Sequence, residues 1–333
     1  MVVALLWPLG PHPRPLEANK TRGFGPVSIS ESTRMIWQTT RFALDLQRPQ
    51  VMGIVNLTPD SFSDGGRHAD TAAGLRHAER LLREGADVLD IGGESTRPGS
   101  PVVPAEEEWR RIEGFLHEAL RWQVPISVDT YKPETMRRAL ALGVDIVNDI
   151  WALQQPGALE LVAEHPGCGV CLMHMHRDPQ TMQKAPMQGD VLPQVAAFLA
   201  ERAQALRAQG VAVERIVLDY GIGFGKTVAQ NFSLLARQAE LLTLGYPLLA
   251  GWSRKSSLGA LLAEGGEPPP PEQRVSASVA AALMAVERGA RVVRVHDVRE
   301  TVQALKVHAQ VLAQLHADAP PPQAPAGAAS PGR

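Results

Sequence analysis

Eight times along the chain an apolar run stops at a polar residue. Val51–Val55 stops at Asn56, Val88-Leu89 at Asp90, Ile126–Val128 at Asp129 and Ile146-Val147 at Asn148. Val170–Met173 stops at His174, Ile216–Leu218 at Asp219, Leu248–Trp252 at Ser253 and Val292–Val295 at His296. A helix-like stretch separates successive runs. Strand and helix alternating in this way predict an α/β fold, a single (β/α)8 TIM barrel, whose chemistry gathers where the parallel strands end. The polar stops then form one ring around one pocket, which is the layout of an enzyme.

At 333 residues the chain exceeds the roughly 250 that one such barrel takes, so one domain with extensions is expected. Residues 1–40 hold Pro8, Pro11, Pro13 and Pro15 without sustained periodicity and predict a weakly ordered extension. Met35, just ahead of the first strand-like text, would serve as an alternative translation start. The barrel is expected over 41–316, and 317–333, rich in Pro, Ala and Gly, as a disordered tail. Neither extension can bury enough apolar surface to offset its ordering entropy.

The 33 Lys+Arg balance 35 Asp+Glu at a net charge of -2, which argues against a nucleic-acid or acidic-membrane partner. The apolar runs are strand-sized, well short of the ~20 residues that cross a bilayer. Met1–Leu9 lacks a basic segment and is cut by Pro8, so no signal peptide is expected. Cys168 and Cys171 form a C-x-x-C, a redox pair or half a zinc site in principle. No second pair exists, and positions i and i+3 of a strand face opposite sides. Structural cysteines in a reducing cytoplasm are the simpler expectation.

Helical stripes recur between the runs. They are Leu75, Ala78, Leu81 and Leu82; Met136, Ala139, Leu140 and Gly143; and Leu192, Val195, Leu199 and Leu206. Phe232, Leu235, Ala236, Ala239 and Leu242 predict one helix, and Val275, Val279, Ala282, Leu283 and Val286 another. Val302, Leu305, Ala309 and Leu312 form a heptad-like seam expected to pack on the barrel. Gly265–Pro271 reads as the loop between the seventh strand and its helix.

Three strand ends carry most of the chemistry. Asn56–Gly66 holds two carboxylates, three hydroxyls and Phe62 in a turn-rich stretch, where a lid would sit. Gly92-Gly93-Glu94-Ser95-Thr96-Arg97-Pro98-Gly99-Ser100 combines close-approach glycines, hydroxyls and a guanidinium, which suits an anion. Asp219-Tyr220-Gly221-Ile222-Gly223-Phe224-Gly225-Lys226-Thr227 tempts a P-loop reading, but Gly221 and Gly225 enclose one residue too few. The G-x-G-x-x-G dinucleotide pattern fails as well, with Lys226 at its last position. His174-Met175-His176 is an H-x-H that would suit a metal only with further ligands; a ligand contact by Met175 is the simpler alternative. Taken together, Asp129, Asn148 and Asp219 suit the donor–acceptor edge of a heterocycle. Arg97, Arg294, His296 and Thr96 suit an anion, and Asn56 a Mg2+ carried by phosphate.

These stretches resemble the dihydropteroate synthase family of pterin-binding enzymes, from about Phe42 to His316. The matches are Met52–Gly66, Asp90–Ser100, Ser127–Thr130, Val147–Ile150, Leu172–Met175, Asp219–Lys226, Ser253–Ser256 and Arg294–Val298. The resemblance implies a transferase that condenses p-aminobenzoate with 6-hydroxymethyl-7,8-dihydropterin pyrophosphate, releasing pyrophosphate, with Mg2+ as cofactor. It implies Asp129, Asn148, Asp219 and Lys255 on the pterin, with Met175 and Arg294 on its faces. Thr96, Arg97, Arg294 and His296 would hold pyrophosphate, and Asn56 the metal. Phe62, Pro98, Phe224, Lys255 and Ser256 would shape the aminobenzoate pocket. Asp64, Arg97 and Lys255 would be catalytic, Asp64 approaching the amine as the loop closes. A homodimer is also implied.

One departure stands out. The family has Pro directly after the pterin-binding Asp; here it is Tyr220, which leaves φ unrestricted and predicts a less rigid loop. Three other readings stay open: a methyltetrahydrofolate methyltransferase type, a metal hydrolase using His174 and His176, and a paralogue that binds pterin without turnover. Ser95–Pro98 and Ser253–Ser256 favour the synthase over the first.

Overall fold

The computed structural model describes residues 35–58, 66–96 and 99–317, without the side chains of 66–70 and 315–317. Phe62, Asp64, Arg97 and Pro98 lie outside the described residues, as do 1–34 and 318–333. The eight expected strand runs are all strands. They are β3 (Gln50–Asn56), β4 (Val88–Gly92), β5 (Ile126–Asp129), β6 (Ile146–Asp149), β7 (Gly169–Met173), β8 (Ile216–Asp219), β9 (Leu248–Ala250) and β10 (Ala290–Val295). They close into a barrel in sequence order, with β10 returning to β3, and the neighbouring pairs are parallel. Ahead of them β1 (Ile36–Gln38) and β2 (Ala43–Asp45) form an antiparallel pair.

Helices follow the barrel strands: α1 (Gly66–Glu84), α2 (Ala105–Ala119), α3 (Pro133–Leu142), α4 (Ala158–Glu164), α5 (Val191–Ala208), α6 (Val228–Ala236), α7 (Ser256–Leu261), α8 (Val275–Glu287) and α9 (Val298–Ala317). Local chemistry sets several ends. Pro133 opens α3, where its missing N–H costs nothing. Thr227 and Gln230 form a reciprocal capping box at α6.

Side-chain alternation divides the strands. Outward residues such as Leu89, Ile91, Val170 and Leu218 pack under the helices. Inward residues Val88, Ile146, Cys171, Val217, Leu249 and Val292 meet Trp37 and Leu46 from the β1–β2 segment. Trp37 is fully buried and its indole N–H donates to Arg215 O at 3.0 Å. Packing therefore begins before residue 41. The two cysteines do face opposite ways: Cys171 lies in the barrel interior and Cys168 in the outer core, both reduced.

Four expectations change. The helix expected over 232–242 ends at Ala236, and Gln238–Leu244 is a 3-10 helix. Gln238 is fully buried, its amide donating to Ala285 O and Arg288 O, which turns the chain there. Leu242 is exposed, Leu235 is buried as expected, and Leu234 and Leu241 join it in the core. A short helix, α7, precedes the Gly265–Pro271 loop. On α9, Val302 and Leu305 pack on the core but Leu312 is exposed, so the seam docks only over its first half. Ala317, assigned to the tail, ends that helix.

Candidate active site

Strand register builds the floor of the site. Asp129 lies between Gly92 on β4 and Asn148 on β6. Arg294 reaches across from β10, with Nε 2.6 Å from Asp90 Oδ2 and Nη2 2.6 Å from Asp129 Oδ2. Asn148 Nδ2 donates to the same Asp90 oxygen at 3.1 Å. Four side chains from four strands thus hold each other in place. Burial pushes the Asp129 carboxyl up to about 7, against the pull of Arg294. Burial opposes the Arg294 charge, but Asp90 and Asp129 more than offset it and hold the guanidinium above its usual range.

Asp90 is fully buried, and among the described residues its Oδ1 has no hydrogen-bond partner; nor does the Oγ of Ser127, its register neighbour. The sequence marks Asp90 only as the end of an apolar run and gives it no role. The available signal was a carboxylate two positions past Val88 on the inward face. Asp219, at the end of β8, accepts the Gly221 N–H at 2.7 Å on Oδ1. Burial raises its pKa, with the Gly221 bond and the Lys255, Lys226 and Arg294 charges acting against the rise.

Above the floor, Met175 and Phe224 share an apolar cluster with Ile150, Met173 and Met182, flanked by Tyr131 and Trp151. Lys255 Nζ stands 4.3 Å from the Phe224 ring centroid, a cation–π contact. Lys255 also acts on Asp219 electrostatically, so it joins the polar floor to the apolar wall. Ser256 is exposed at the start of α7.

The anion-binding candidates lie at neighbouring strand ends. Thr96 is half-buried on the loop after β4, and Ser100 donates to Ser95 at 3.1 Å across that loop. On β10's end, the Ser253 hydroxyl accepts the His296 backbone N–H at 3.1 Å and meets His296 Nδ1 at 3.0 Å. The hydroxyl can donate to Nδ1 or accept from it, and the imidazole tautomer sets which. Arg254 pairs with Asp297, so it ties the two loops together.

Asn56 ends β3 beside Gly92. A Cβ on Gly92 would stand 3.5 Å from Asn56 Oδ1, in space the glycine leaves beside that oxygen. A single neutral hard oxygen fits Mg2+ whose other positions are filled by phosphate oxygens and water. Among the described residues no three His, Cys, Asp or Glu side chains gather as a metal site. The H-x-H pair does not act together. His174 is buried edge-on to Phe198 at 5.0 Å and its Nδ1 meets Lys226 Nζ at 2.9 Å. Burial lowers its pKa to about 2, so the ring is neutral. The metal-hydrolase alternative has no ligand set here.

Tyr220 is not loose. It is fully buried, faces the outer core, and its hydroxyl donates to Gln238 Oε1 at 2.6 Å. Packing and one hydrogen bond supply the restraint that Pro's ring supplies elsewhere, and the strand-end Asp keeps its place. Asn56, Thr96, Asp129, Asn148, Met175, Asp219, Phe224, Lys255, Ser256, Arg294 and His296 all fall at or just beyond C-terminal strand ends of one barrel. The sequence assigns no role to Lys226, which is buried in this region.

Comparison with known proteins accords with this geometry. The family described as "Pterin binding enzyme" matches residues 52–296. A dihydropteroate synthase of Neisseria meningitidis serogroup B is 52% identical over 279 residues, covering 82% of this chain and 96% of its own. The Escherichia coli K12 enzyme is 48% identical over 266 residues, covering 80% and 92%. Among solved structures, Xanthomonas albilineans dihydropteroate synthase with 4-aminobenzoic acid superposes with TM-score 0.77 at 49% identity, covering 84% of this chain and 99% of that one. The Burkholderia cenocepacia enzyme complexed with 7,8-dihydropteroate gives 0.76 at 50% identity, covering 85% and 98%. With the family matched across the whole barrel and the relatives near half identical along almost their full lengths, this chain belongs to the dihydropteroate synthase family.

Proposed function

We propose that the chain condenses 6-hydroxymethyl-7,8-dihydropterin pyrophosphate with p-aminobenzoate, giving 7,8-dihydropteroate and pyrophosphate. The observation that carries this is the interlocked floor of Asp90, Asp129, Asn148 and Arg294 beside Asp219. It is a buried polar surface, with an apolar wall above, suited to a flat heterocycle rich in donors.

Asp219 accepts the pterin 2-amino and N3–H groups in parallel, and Asp129 and Asn148 meet the remaining ring edge. Met175 and Arg294 cover its faces. The C–O bond to pyrophosphate breaks, its electron pair leaving with the phosphate oxygen. The electron-rich pterin stabilises the methylene cation that remains. The aminobenzoate nitrogen, neutral at pH 7, forms the C–N bond and gives up a proton to an acceptor such as Asp64. Thr96, Arg97, Arg294 and His296 neutralise the departing charge. His296 contributes an imidazole N–H to it. Asn56 would hold Mg2+, which adds positive charge at the leaving group. Phe224, Lys255 and Ser256, with Phe62 and Pro98, enclose the aminobenzoate.

The Yersinia pestis enzyme, 44% identical with TM-score 0.78, is solved with a sulfonamide drug. The same aminobenzoate pocket here would accept sulfonamides. The reading extends to a homodimer acting in the cytoplasm. No helix among the described residues is long and apolar enough to cross a membrane. Incubation with both substrates and Mg2+, with pyrophosphate and dihydropteroate measured together, tests the reading. Pterin binding without pyrophosphate release would place the chain among non-catalytic paralogues.

A further inference from the structure

The mechanism above uses neither Lys226 nor His174, yet both are buried within the site's walls. Lys226 Nζ donates to Gly221 O at 2.8 Å, Phe224 O at 3.2 Å and His174 O at 3.4 Å, and meets His174 Nδ1 at 2.9 Å. These partners come from two loops, the one after β7 and the one after β8. None is a carboxylate. An ammonium with only neutral partners in the interior is costly, and each carbonyl it satisfies would otherwise be a buried orphan.

The two loops are pressed together at this point. A Cβ on Gly221 would sit 1.9 Å from His174 O, and one on Gly225 2.7 Å from His176 O. No other residue fits at Gly221 without parting the loops. The contacts of Lys226 bracket three pocket residues. His174 precedes Met175, Gly221 follows Asp219 by two positions, and Phe224 accepts at its own carbonyl.

We propose that Lys226, with His174 as its acceptor, is a positioning residue. It pins the loop after β8 to the loop after β7 and so sets Phe224 as the wall of the aminobenzoate pocket. The two ends of this loop are unequal. At Asp219 the loops keep an independent backbone bond, His174 N to Asp219 O at 2.9 Å. Around Phe224, Gln183 Nε2 donates to Gly223 O at 2.6 Å and Met187 N to Gly225 O at 2.9 Å, but Phe224 O itself meets His176 N only at 3.5 Å and has Lys226 as its nearer donor at 3.2 Å. Loss of the pin should let Phe224 shift between its flanking anchors at Gly223 and Gly225 and spare the Asp219 end.

The proposal rests on the assignment of Phe224 to the aminobenzoate pocket, so Phe224→Ala is the reference variant. In the full chain, Lys226→Met should raise the aminobenzoate KM and cut kcat/KM for aminobenzoate by roughly 10- to 100-fold, as misplacement of a positioning group does. Pterin affinity, measured by calorimetry, should fall by no more than about threefold, since the Asp219 backbone anchor is kept and only the Lys226 charge near Asp219 is lost. His174→Leu removes one acceptor and should give the same split at smaller size. It carries the test if Lys226→Met does not fold. If Phe224→Ala leaves the aminobenzoate KM unchanged, the pocket assignment is wrong. If Phe224→Ala raises it and neither pin variant does, the pin is overturned. Equal losses in pterin affinity, aminobenzoate affinity and melting temperature would also overturn it, by reducing Lys226 to general support.

Discussion

At the N-terminal end of the barrel the inward side chains are Val88, Ile146, Val217 and Val292, closed over by Trp37 and Leu46. Two residues further along the same four strands the inward side chains are Asp90, Asn148, Asp219 and Arg294. The step from hydrocarbon to charge takes one pleat. The apolar end is close-packed and gains from burial. The polar end gives some of that gain back: burial raises the pKa of Asp129 and Asp219, and Asp90 Oδ1 goes unpaired. Stability and chemistry are therefore separable along one axis of one fold.

The largest expected effect is on stability alone. Trp37→Ala removes a fully buried indole and its bond to Arg215 O. It should cost about 3–5 kcal/mol of unfolding free energy. Substrate constants measured well below the lowered melting temperature should not move. A changed pterin affinity in the folded variant would show that the two ends are coupled through the strands.

Asp219→Asn should do the reverse. The amide presents an N–H2 where the pterin also donates, so one bond becomes a repulsion. Losing a charge-assisted bond in a dry pocket costs about 2–3 kcal/mol of pterin binding. Burial already disfavours the Asp219 charge, so the melting temperature should hold or rise slightly. Calorimetric titration beside thermal denaturation checks both halves. Unchanged pterin affinity would mean Asp219 serves the fold and the pocket lies elsewhere.

What the sequence reveals follows the same axis. Runs such as Val51–Val55 and Ile216–Leu218 are legible because a strand covered on both sides is apolar throughout. The residue that ends each run is legible because it breaks that pattern. Asp219, Asp129 and His296 emerge in this way, and Arg294 as a charge inside its run. Asp90 is marked but stays without a role, because its work lies in holding Arg294 and Asn148 across three strands, a relation set by register. Lys226 is missed because three of its four partners are backbone carbonyls, which no side-chain pattern encodes. The break at Ala236 is missed because Gln238 looks like one more surface residue, and only the packed core shows its amide reaching α8.

A smaller effect should appear as protons. Asp129 in the free protein has its pKa raised to about 7 by burial. Its folded value lies above the unfolded one, so the folded state holds the proton more tightly. Its contribution to stability is fully present below the unfolded carboxylate range and is lost as pH rises toward 7. A pterin that donates to Asp129 requires the carboxylate, so binding at pH 6 should release protons and binding at pH 8 should release fewer. Titrations in buffers of different ionisation enthalpy measure this. Asp129→Asn should abolish the difference between the two pH values; a difference that persists would assign the proton to another group.

Tyr220 makes the finest test, because it stands at the polar end of β8 but faces outward. If position along the strand decided its role, changing it would alter pterin binding. If facing decides, it should behave like the apolar end. Its phenol is buried, stays protonated because burial raises its pKa, and donates to Gln238 Oε1 at 2.6 Å. Gln238 in turn donates to Ala285 O and Arg288 O at the end of α8. Tyr220→Phe keeps the ring in its packing and removes only the first bond of that chain. It leaves a buried amide oxygen short of a donor, at a cost of about 1 kcal/mol. A fall of a few degrees in melting temperature is expected, with pterin and aminobenzoate constants unchanged. A fall in pterin affinity without loss of stability would instead show that the hydroxyl chain sets the Asp219 carboxylate, and facing would no longer separate structure from function in this barrel.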